Sequence, residues 1–285
     1  MEIRKAVITA AGPNQDRLPL QRFVDLDGAE KTALQIILEE IVAAGIEEVA
    51  VVVRHGSQTV YREAAGDYSR LLVFVEQPAP RGYGEALHRA AAFVGNQAFL
   101  HLVSDHLYIS RQPRRCTQQL VEAARAENCP VSAVQPTRES MLRYYGVVGG
   151  SPIAGHAGLY RIERLLEKPT PTVAEQQLVV PGLRAGHYLC LFGMHVLTPQ
   201  VMELLGQVVA ESPSVNGAAP IMLTPALARL AQCGRYLAME LDGARYNIGV
   251  KYGLLTAQLA LALEGQDRDE VLAHMVELLA LRQGN

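Results

Sequence analysis

The sequence predicts an α/β fold: a doubly wound, mostly parallel sheet with β-hairpin insertions and helices at its C-terminal end. Three observations predict it. Short, unbroken apolar runs alternate with stretches of helical periodicity through the first half of the chain. Glycine-rich segments with hairpin character follow, and the last 36 residues return to helical spacing. Strands that alternate with helices form parallel sheets covered on both faces, with right-handed crossovers.

Ala6 to Ala11 is a continuous apolar run ending at Gly12, the pattern of a central strand buried on both sides. A polar stretch from Pro13 to about Lys31 reads as a loop. Leu34, Ile37, Leu38, Ile41 and Val42 then recur at helical spacing, and Gly45 ends the helix. Val49–Val53, Leu71–Val75 and Phe99–Val103 are the next strands, with a helix from about Gly84 between the last two. A helix over about Pro113–Ala126 leads to a strand at Val131–Gln135. After Tyr145 the rhythm changes: Gly146–Gly150 and Tyr160–Ile162 read as a hairpin. Tyr188–Met194 is a strand followed by a helix from Thr198. A strand at Tyr236–Glu240 precedes helices over about Val250–Glu264 and Asp267–Leu281. No linker divides the chain, so one domain over residues 1–285 is expected.

Composition narrows the function. Of 285 residues, 49% are hydrophobic and 19% charged, which suits a globular protein rather than a disordered one. The formal charge of -3 leaves no basic excess for a nucleic-acid backbone, so nucleic acid is not an expected partner. No apolar run approaches the roughly 20 residues of a membrane helix, and Met1–Ala11 lacks a signal-peptide pattern. Cys116, Cys129, Cys190 and Cys233 form no C-x-x-C pair and read as free thiols of a cytoplasmic protein. The histidines show no H-x-x-x-H or H-E-x-x-H spacing, and no G-x-G-x-x-G follows Ala11; zinc hydrolase and dinucleotide oxidoreductase chemistry are therefore set aside.

Four segments can carry chemistry. In open α/β sheets ligands sit where strands end and loops begin. The turn Ala10-Ala11-Gly12 can point backbone N–H groups at phosphates, and Arg17 adds charge. Glu76-Gln77-Pro78-Ala79-Pro80-Arg81-Gly82-Tyr83-Gly84-Glu85-Ala86 ends a strand in a Gln, whose amide can read the edge of a planar base, while Gly82 leaves room for the ring. Val103-Ser104-Asp105 delivers a carboxylate at a strand end, where Mg²⁺ bridging phosphates takes oxygen ligands. Glu167-Lys168-Pro169 offers an acceptor for sugar hydroxyls and a point charge for a phosphate. Each segment also has an ordinary reading as a turn, a cap or a solvated ion pair.

In this order, and with Tyr145-Gly146-Val147-Val148 between the third and fourth, the segments resemble the bacterial UTP–glucose-1-phosphate uridylyltransferases and their sugar-nucleotidyltransferase relatives, from Lys5 to about Leu263. The resemblance implies a nucleotide-diphospho-sugar transferase fold, with a nucleotide part at about 1–135, a sugar-phosphate part at about 136–249 and helices beyond. It implies uracil contacts at Gln77 and Gly82, with the backbone at Ala10, Ala11 and Gly12 lining the nucleotide site. It also implies Mg²⁺ on Asp105 and on the residue at 247, and the glucosyl phosphate on Gly146, Glu167, Lys168 and Gly186. Arg17, Asp105 and Lys168 would serve the reaction itself: attack of a sugar 1-phosphate on the α-phosphorus of a nucleoside triphosphate, releasing pyrophosphate.

Three segments depart from the family pattern. Pro13 removes an N–H from the first loop, and Asn14 and Asp16 occupy its crowded positions. Leu20-Gln21 stands where the family has Pro-Lys, leaving Arg17, Arg22 or Arg81 as substitutes. Asn247-Ile248-Gly249 replaces a second metal carboxylate, and Asp242, five residues earlier, is the candidate stand-in. Two functions are carried forward: an Mg²⁺-dependent enzyme, or a nucleotide or nucleotide-sugar binding protein with weakened chemistry. The stripe Val271, Leu272, Met275, Leu278 and Leu279 can dock on the domain's own core or on a second copy in a homo-oligomer.

Overall fold

The computed structural model describes residues 1–13, 16–212 and 219–282. The apolar run at the N-terminus forms β1 (Ile3–Thr9), three residues earlier than its composition suggests. The stretch read as a loop contains a small antiparallel hairpin, β2 (Arg22–Val24) with β3 (Glu30–Thr32). Thr32 then caps α1 (Ala33–Ala43) through a capping box with Gln35, satisfying N–H groups that the first turn leaves free. Gly45, at φ +79°, ends that helix.

The first half continues with β4 (Glu48–Arg54), α2 (Gln58–Ala65), β5 (Leu72–Gln77), α3 (Tyr83–Arg89), the short α4 (Ala91–Val94) and β6 (Ala98–Val103). Then come β7 (His106–Ser110), α5 (Cys116–Glu127) and β8 (Val131–Arg138). The hairpin is β9 (Gly146–Pro152) with β10 (Leu159–Glu167), longer than its sequence signature. The remainder is α6 (Pro171–Gln177), β11 (His187–Leu197), α7 (Gln200–Glu211), α8 (Thr224–Cys233), β12 (Leu237–Glu240), β13 (Gly243–Asn247), α9 (Gly253–Glu264) and α10 (Arg268–Arg282).

Nine strands make the central sheet, in the order β5-β4-β1-β6-β11-β8-β12-β10-β9. The four N-terminal strands are parallel, as are β8 and β12; β11 and β10 run against their neighbours. The sheet separates two cores, and the alternation of side chains shows it. Ala6, Ile8, Val49 and Val51 face one cluster, with α1 and α5; Val7, Ala50 and Val52 face the other, with α3, α7 and α8. A strand with both faces covered has no polar face to offer, which is why β1 and β4 read as unbroken apolar runs.

A separate two-stranded ladder pairs β7 with β13, setting His106 opposite Asn247. Each strand is five residues long and mixed in polarity, so neither stood out by periodicity. At the C-terminal end the apolar stripe of α10 is only partly covered: Leu272, Leu278 and Leu279 are 38%, 65% and 63% exposed, while Val271 and Met275 are half-buried. No helix among the described residues is long and apolar enough to cross a membrane.

α1 and α5 are joined through a buried carboxylate. Glu40, 2% exposed, accepts a hydrogen bond from the Thr117 N–H at 3.2 Å and faces the Arg115 guanidinium at 3.4 Å. Burial raises its carboxyl above the ordinary value and outweighs Arg115 and Thr117, which pull it down. The folded state therefore disfavours the ionised form. This group's contribution to stability is complete below the unfolded carboxylate value and is lost as pH rises through the raised folded one. Glu40→Gln removes that loss. Urea midpoints measured from about pH 4 to pH 8 are expected to show wild type losing ground to the variant as pH rises. A constant difference, or one of opposite slope, refutes this assignment.

Candidate functional site

The last residues of β1, β5 and β6 (Thr9, Gln77 and Val103) open on one cleft of about 590 Å³. The strands are parallel, so their carboxyl ends meet on the same side of the sheet, where ligands of such folds bind. The volume lies within the roughly 300–1,000 Å³ of small-molecule pockets.

The first wall is Ala11, Gly12 and Pro13. Ala10 is outside it and already committed to the fold: its N–H bonds Val52 O at 2.8 Å, and Tyr61 Oη lies 3.3 Å from its carbonyl. Asn14 and Gln15 lie outside the described residues. Asp16 does not line the cleft; its carboxylate pairs with Arg54 at 3.4 Å, and its carbonyl accepts the Tyr61 hydroxyl at 2.6 Å. Arg17 is exposed and outside the cleft, and Arg22 pairs with Glu30 at 3.1 Å on the β2–β3 hairpin. Arg81 does not line it either. The cations that do, among the described residues, are Lys168 and Lys251. Lys251 was missed in the sequence. Its signal was the glycine loop Asn247-Ile248-Gly249-Val250-Lys251 between a strand and a helix.

Gln77, Gly82 and Tyr83 form the second wall. The glycines here serve the backbone first. A Cβ on Gly82 would lie 2.5 Å from both N and O of Ile221, and one on Gly84 would lie 2.5 Å from Met222 O. That closeness lets Gly84 N–H donate to Ile221 O and Ile221 N–H donate to Arg81 O, each at 2.8 Å. The bridge brings the start of α8, including Thr224, to the cleft edge.

Asp105, in the turn before β7, and Asn247, the last residue of β13, face the cleft together. Ile248 N–H donates to Asp105 O at 2.8 Å, and Gly249 N–H donates to Asn247 Oδ1 at 2.8 Å. Burial pushes the Asp105 carboxyl up, but His106 and Arg245 pull it further down, leaving it below the ordinary value. His106 Nδ1 lies 3.2 Å from Asp105 Oδ1, yet off the line of a hydrogen bond. Asp242 cannot stand in for a second carboxylate: it precedes β13, at the ladder end away from Asn247, and is not part of the cleft.

Register in the β9–β10 hairpin places Glu167 directly opposite Gly146. Thr224 Oγ1 donates to Glu167 Oε2 at 2.5 Å, and a Cβ on Gly146 would meet both residues within 3.3 Å. Lys168 adopts φ +46°, a sparsely occupied conformation for a non-glycine, held by its N–H bond to Tyr145 O at 3.0 Å. Gly186 is not in the cleft; it sits exposed in the turn before β11, its carbonyl bonded to Glu139 N–H at 3.0 Å.

Beneath the cleft, apolar sheet gives way to a polar row that the sequence did not reveal. His101 Nδ1 lies 2.9 Å from Val7 O and so carries the proton, leaving Nε2 to accept the Tyr83 hydroxyl at 2.6 Å. His195 stacks on His101 with centroids 5.8 Å apart, and Ser132 Oγ joins His195 Nδ1 to the Tyr236 hydroxyl. Burial pushes His101 down to about 4 and His195 well below its ordinary value, so both rings are neutral. The row fixes Tyr83 and His195, which both line the cleft.

A family model described as nucleotidyl transferase matches residues 22–233. The chain belongs to the nucleotidyl transferase family. Within its reach are curated relatives from streptococci. The UTP–glucose-1-phosphate uridylyltransferase of Streptococcus pneumoniae serotype 4 is 28% identical over 305 aligned positions, covering 97% of this chain and 96% of that protein. UTP–glucose-1-phosphate uridylyltransferase 2 of Streptococcus pyogenes serotype M1 matches with the same identity and coverage. Among solved structures, a UDP-glucose pyrophosphorylase complexed with UDP-glucose superposes with a TM-score of 0.73 at 24% identity, covering 91% of this chain and 98% of that one. A UTP-bound UGPase from Acinetobacter baumannii gives 0.73 at 21%, covering 97% and 100%. At these identities the structures establish the fold of this nucleotidyl transferase family member: a mixed sheet between helices, of the nucleotide-diphospho-sugar transferase type.

The Gly82 bridge generates a direct test. Gly82 has φ +121°, and its added methyl would strike backbone rather than a movable side chain. Gly82→Ala is expected to cost about 2 kcal/mol or more, read as a lowered urea midpoint. Wild-type stability in that variant means that the bridge to Ile221 does not form.

Proposed function

We propose that this chain joins a nucleoside triphosphate to a sugar 1-phosphate, UTP and glucose 1-phosphate being the favoured pair, and releases pyrophosphate. The observation that carries the proposal is the meeting of Gln77, Asp105, Glu167 and Lys168 in one cleft. The nucleotidyl transferase match and the names of the curated relatives support the substrates. In this reading residues 1–135 hold the nucleotide, 136–249 the sugar phosphate, and the whole chain acts as one domain.

Gln77 faces the base, and the Ala11–Gly12 turn lies along the phosphates. Glu167, held by Thr224, accepts hydrogen bonds from sugar hydroxyls, while Lys168 neutralises the sugar phosphate that attacks the α-phosphorus. Lys251 takes the phosphate role for which Arg17, Arg22 and Arg81 are badly placed. Such a reaction needs positioning and charge neutralisation rather than a covalent enzyme intermediate.

The donor set fits Mg²⁺. Asp105 would supply one carboxylate and Asn247 one amide oxygen, and this ion is commonly held by one or two carboxylates together with waters and substrate phosphates. No group of three His, Cys, Asp or Glu that could hold a metal occurs among the described residues, so the ion belongs with the triphosphate rather than in a protein cage. When bound it would neutralise phosphate charge. The four free cysteines fit a cytoplasmic protein, and the exposed face of α10 fits packing against a second copy.

Asn247 in place of a carboxylate favours a second reading, a nucleotide-sugar binding protein with little turnover. Pyrophosphate release with UTP, glucose 1-phosphate and saturating Mg²⁺ separates the two. The enzyme reading expects turnover that Asp105→Ala reduces about 10²-fold or more. No turnover above background, with UDP-glucose binding indifferent to Mg²⁺, selects the second. Lys251→Met is expected to raise the KM for UTP while leaving the KM for glucose 1-phosphate nearly unchanged. An effect confined to glucose 1-phosphate removes Lys251 from the triphosphate.

A further inference from the structure

The amide of Gln77 has two unlike ends, and the fold determines which of them the cleft sees. Gln77 is 4% exposed at the end of β5. Its Nε2 lies 2.5 Å from Glu85 Oε2 and 3.2 Å from Gly82 O. A backbone carbonyl and a carboxylate both only accept, so rotating the amide would set oxygen against two oxygens. The orientation follows from the neighbours' chemistry. Both N–H groups are used inside the protein, and Oε1 is the end left for a ligand.

Glu85 is itself built in. It is 3% exposed in the first turn of α3, and its second oxygen, Oε1, lies 2.5 Å from Arg89 Nε one helical turn on. Arg89 is 45% exposed and carries the arrangement to the surface. A buried carboxylate costs desolvation unless it is paired and hydrogen-bonded; here one oxygen serves Arg89 and the other serves Gln77. A helix-start acid needs only the favourable N-terminal end of the helix, which does not account for the bond to Gln77.

We propose that Glu85 is a positioning residue that locks the Gln77 amide with its oxygen toward the cleft, selecting a base whose edge presents an imide N–H, uracil or thymine, over cytosine, whose corresponding ring nitrogen is a bare acceptor. The inference rests on the nucleotide reading of the cleft and deepens it: Gln77 names the contact, while Glu85 sets its polarity. With glutamine at position 85 the neighbour can both donate and accept. The Gln77 amide is then free to turn, and discrimination falls while the pocket keeps its shape.

Calorimetric titration of wild type and Glu85→Gln with the Mg²⁺ complexes of UTP, dTTP, CTP and N3-methyl-UTP tests this. Wild type is expected to bind UTP and dTTP at least about tenfold more tightly than CTP or N3-methyl-UTP, since a site that hydrogen-bonds a substrate N–H rejects analogues lacking it. In Glu85→Gln the UTP-to-CTP ratio is expected to fall about tenfold. A merely structural role for Glu85 weakens all four alike and leaves the ratio unchanged, which overturns the proposal. Equal wild-type binding of UTP and N3-methyl-UTP overturns it without any variant. If wild type binds none of the four, the nucleotide reading of the cleft falls with it; binding with unaltered ratios defeats the role of Glu85 alone.

Discussion

At Gly82 and Gly84 the turn into α3 lies against the chain entering α8 so closely that no side chain fits between the two backbones. Two hydrogen bonds cross that contact, and much of the site depends on it. It sets the Gly82 carbonyl against the Gln77 amide and brings Thr224 to Glu167. The Gln77 side of the cleft and its Glu167 side are thus fastened by one pair of backbone bonds. Without the bridge the parallel strands would still end on one side of the sheet, but the wall closing the cleft over them would be missing.

The electrostatic arrangement is sparse. Among the described residues two lysines, one aspartate and one glutamate supply the formal charges of the cleft. Arg245 packs 3.8 Å above the Tyr145 ring and donates to Leu191 O, stiffening the wall while lowering the Asp105 carboxyl. Arg54 turns the Asp16 carboxylate aside. The polar row of His101, His195, Ser132 and Tyr236 adds no charge, because burial keeps its imidazoles neutral. Rigid, uncharged hydrogen-bonding groups beneath a cleft hold its lining still without competing for an anion.

The parallel half of the fold was legible because β1 and β4 are covered on both faces and write that fact as apolar runs, and β6 is apolar but for His101. The β7–β13 ladder was not: its strands are short, mixed in polarity and more than a hundred residues apart, so only tertiary packing pairs them. Gln77, Glu167 and Lys168 were found through spacing and resemblance, which track backbone position well. Arg17 was named by its nearness to a family position, and nearness along a loop says little about direction. Glu85 lies in the same segment as Gln77, but its bond to Gln77 is not legible there, because the partner stands eight residues back and only a strand-to-helix turn brings the two together.

The β7–β13 ladder also bears on how this lineage can change. Position 247 is held by main-chain bonds beside Asp105 whatever its side chain. Asparagine and aspartate differ by one base in their codons and hardly at all in shape. A carboxylate can therefore come or go there in a single step, with the surrounding backbone unmoved. On the proposed metal-binding role of residue 247, that one exchange would alter the charge beside Asp105 while leaving the backbone that presents it in place.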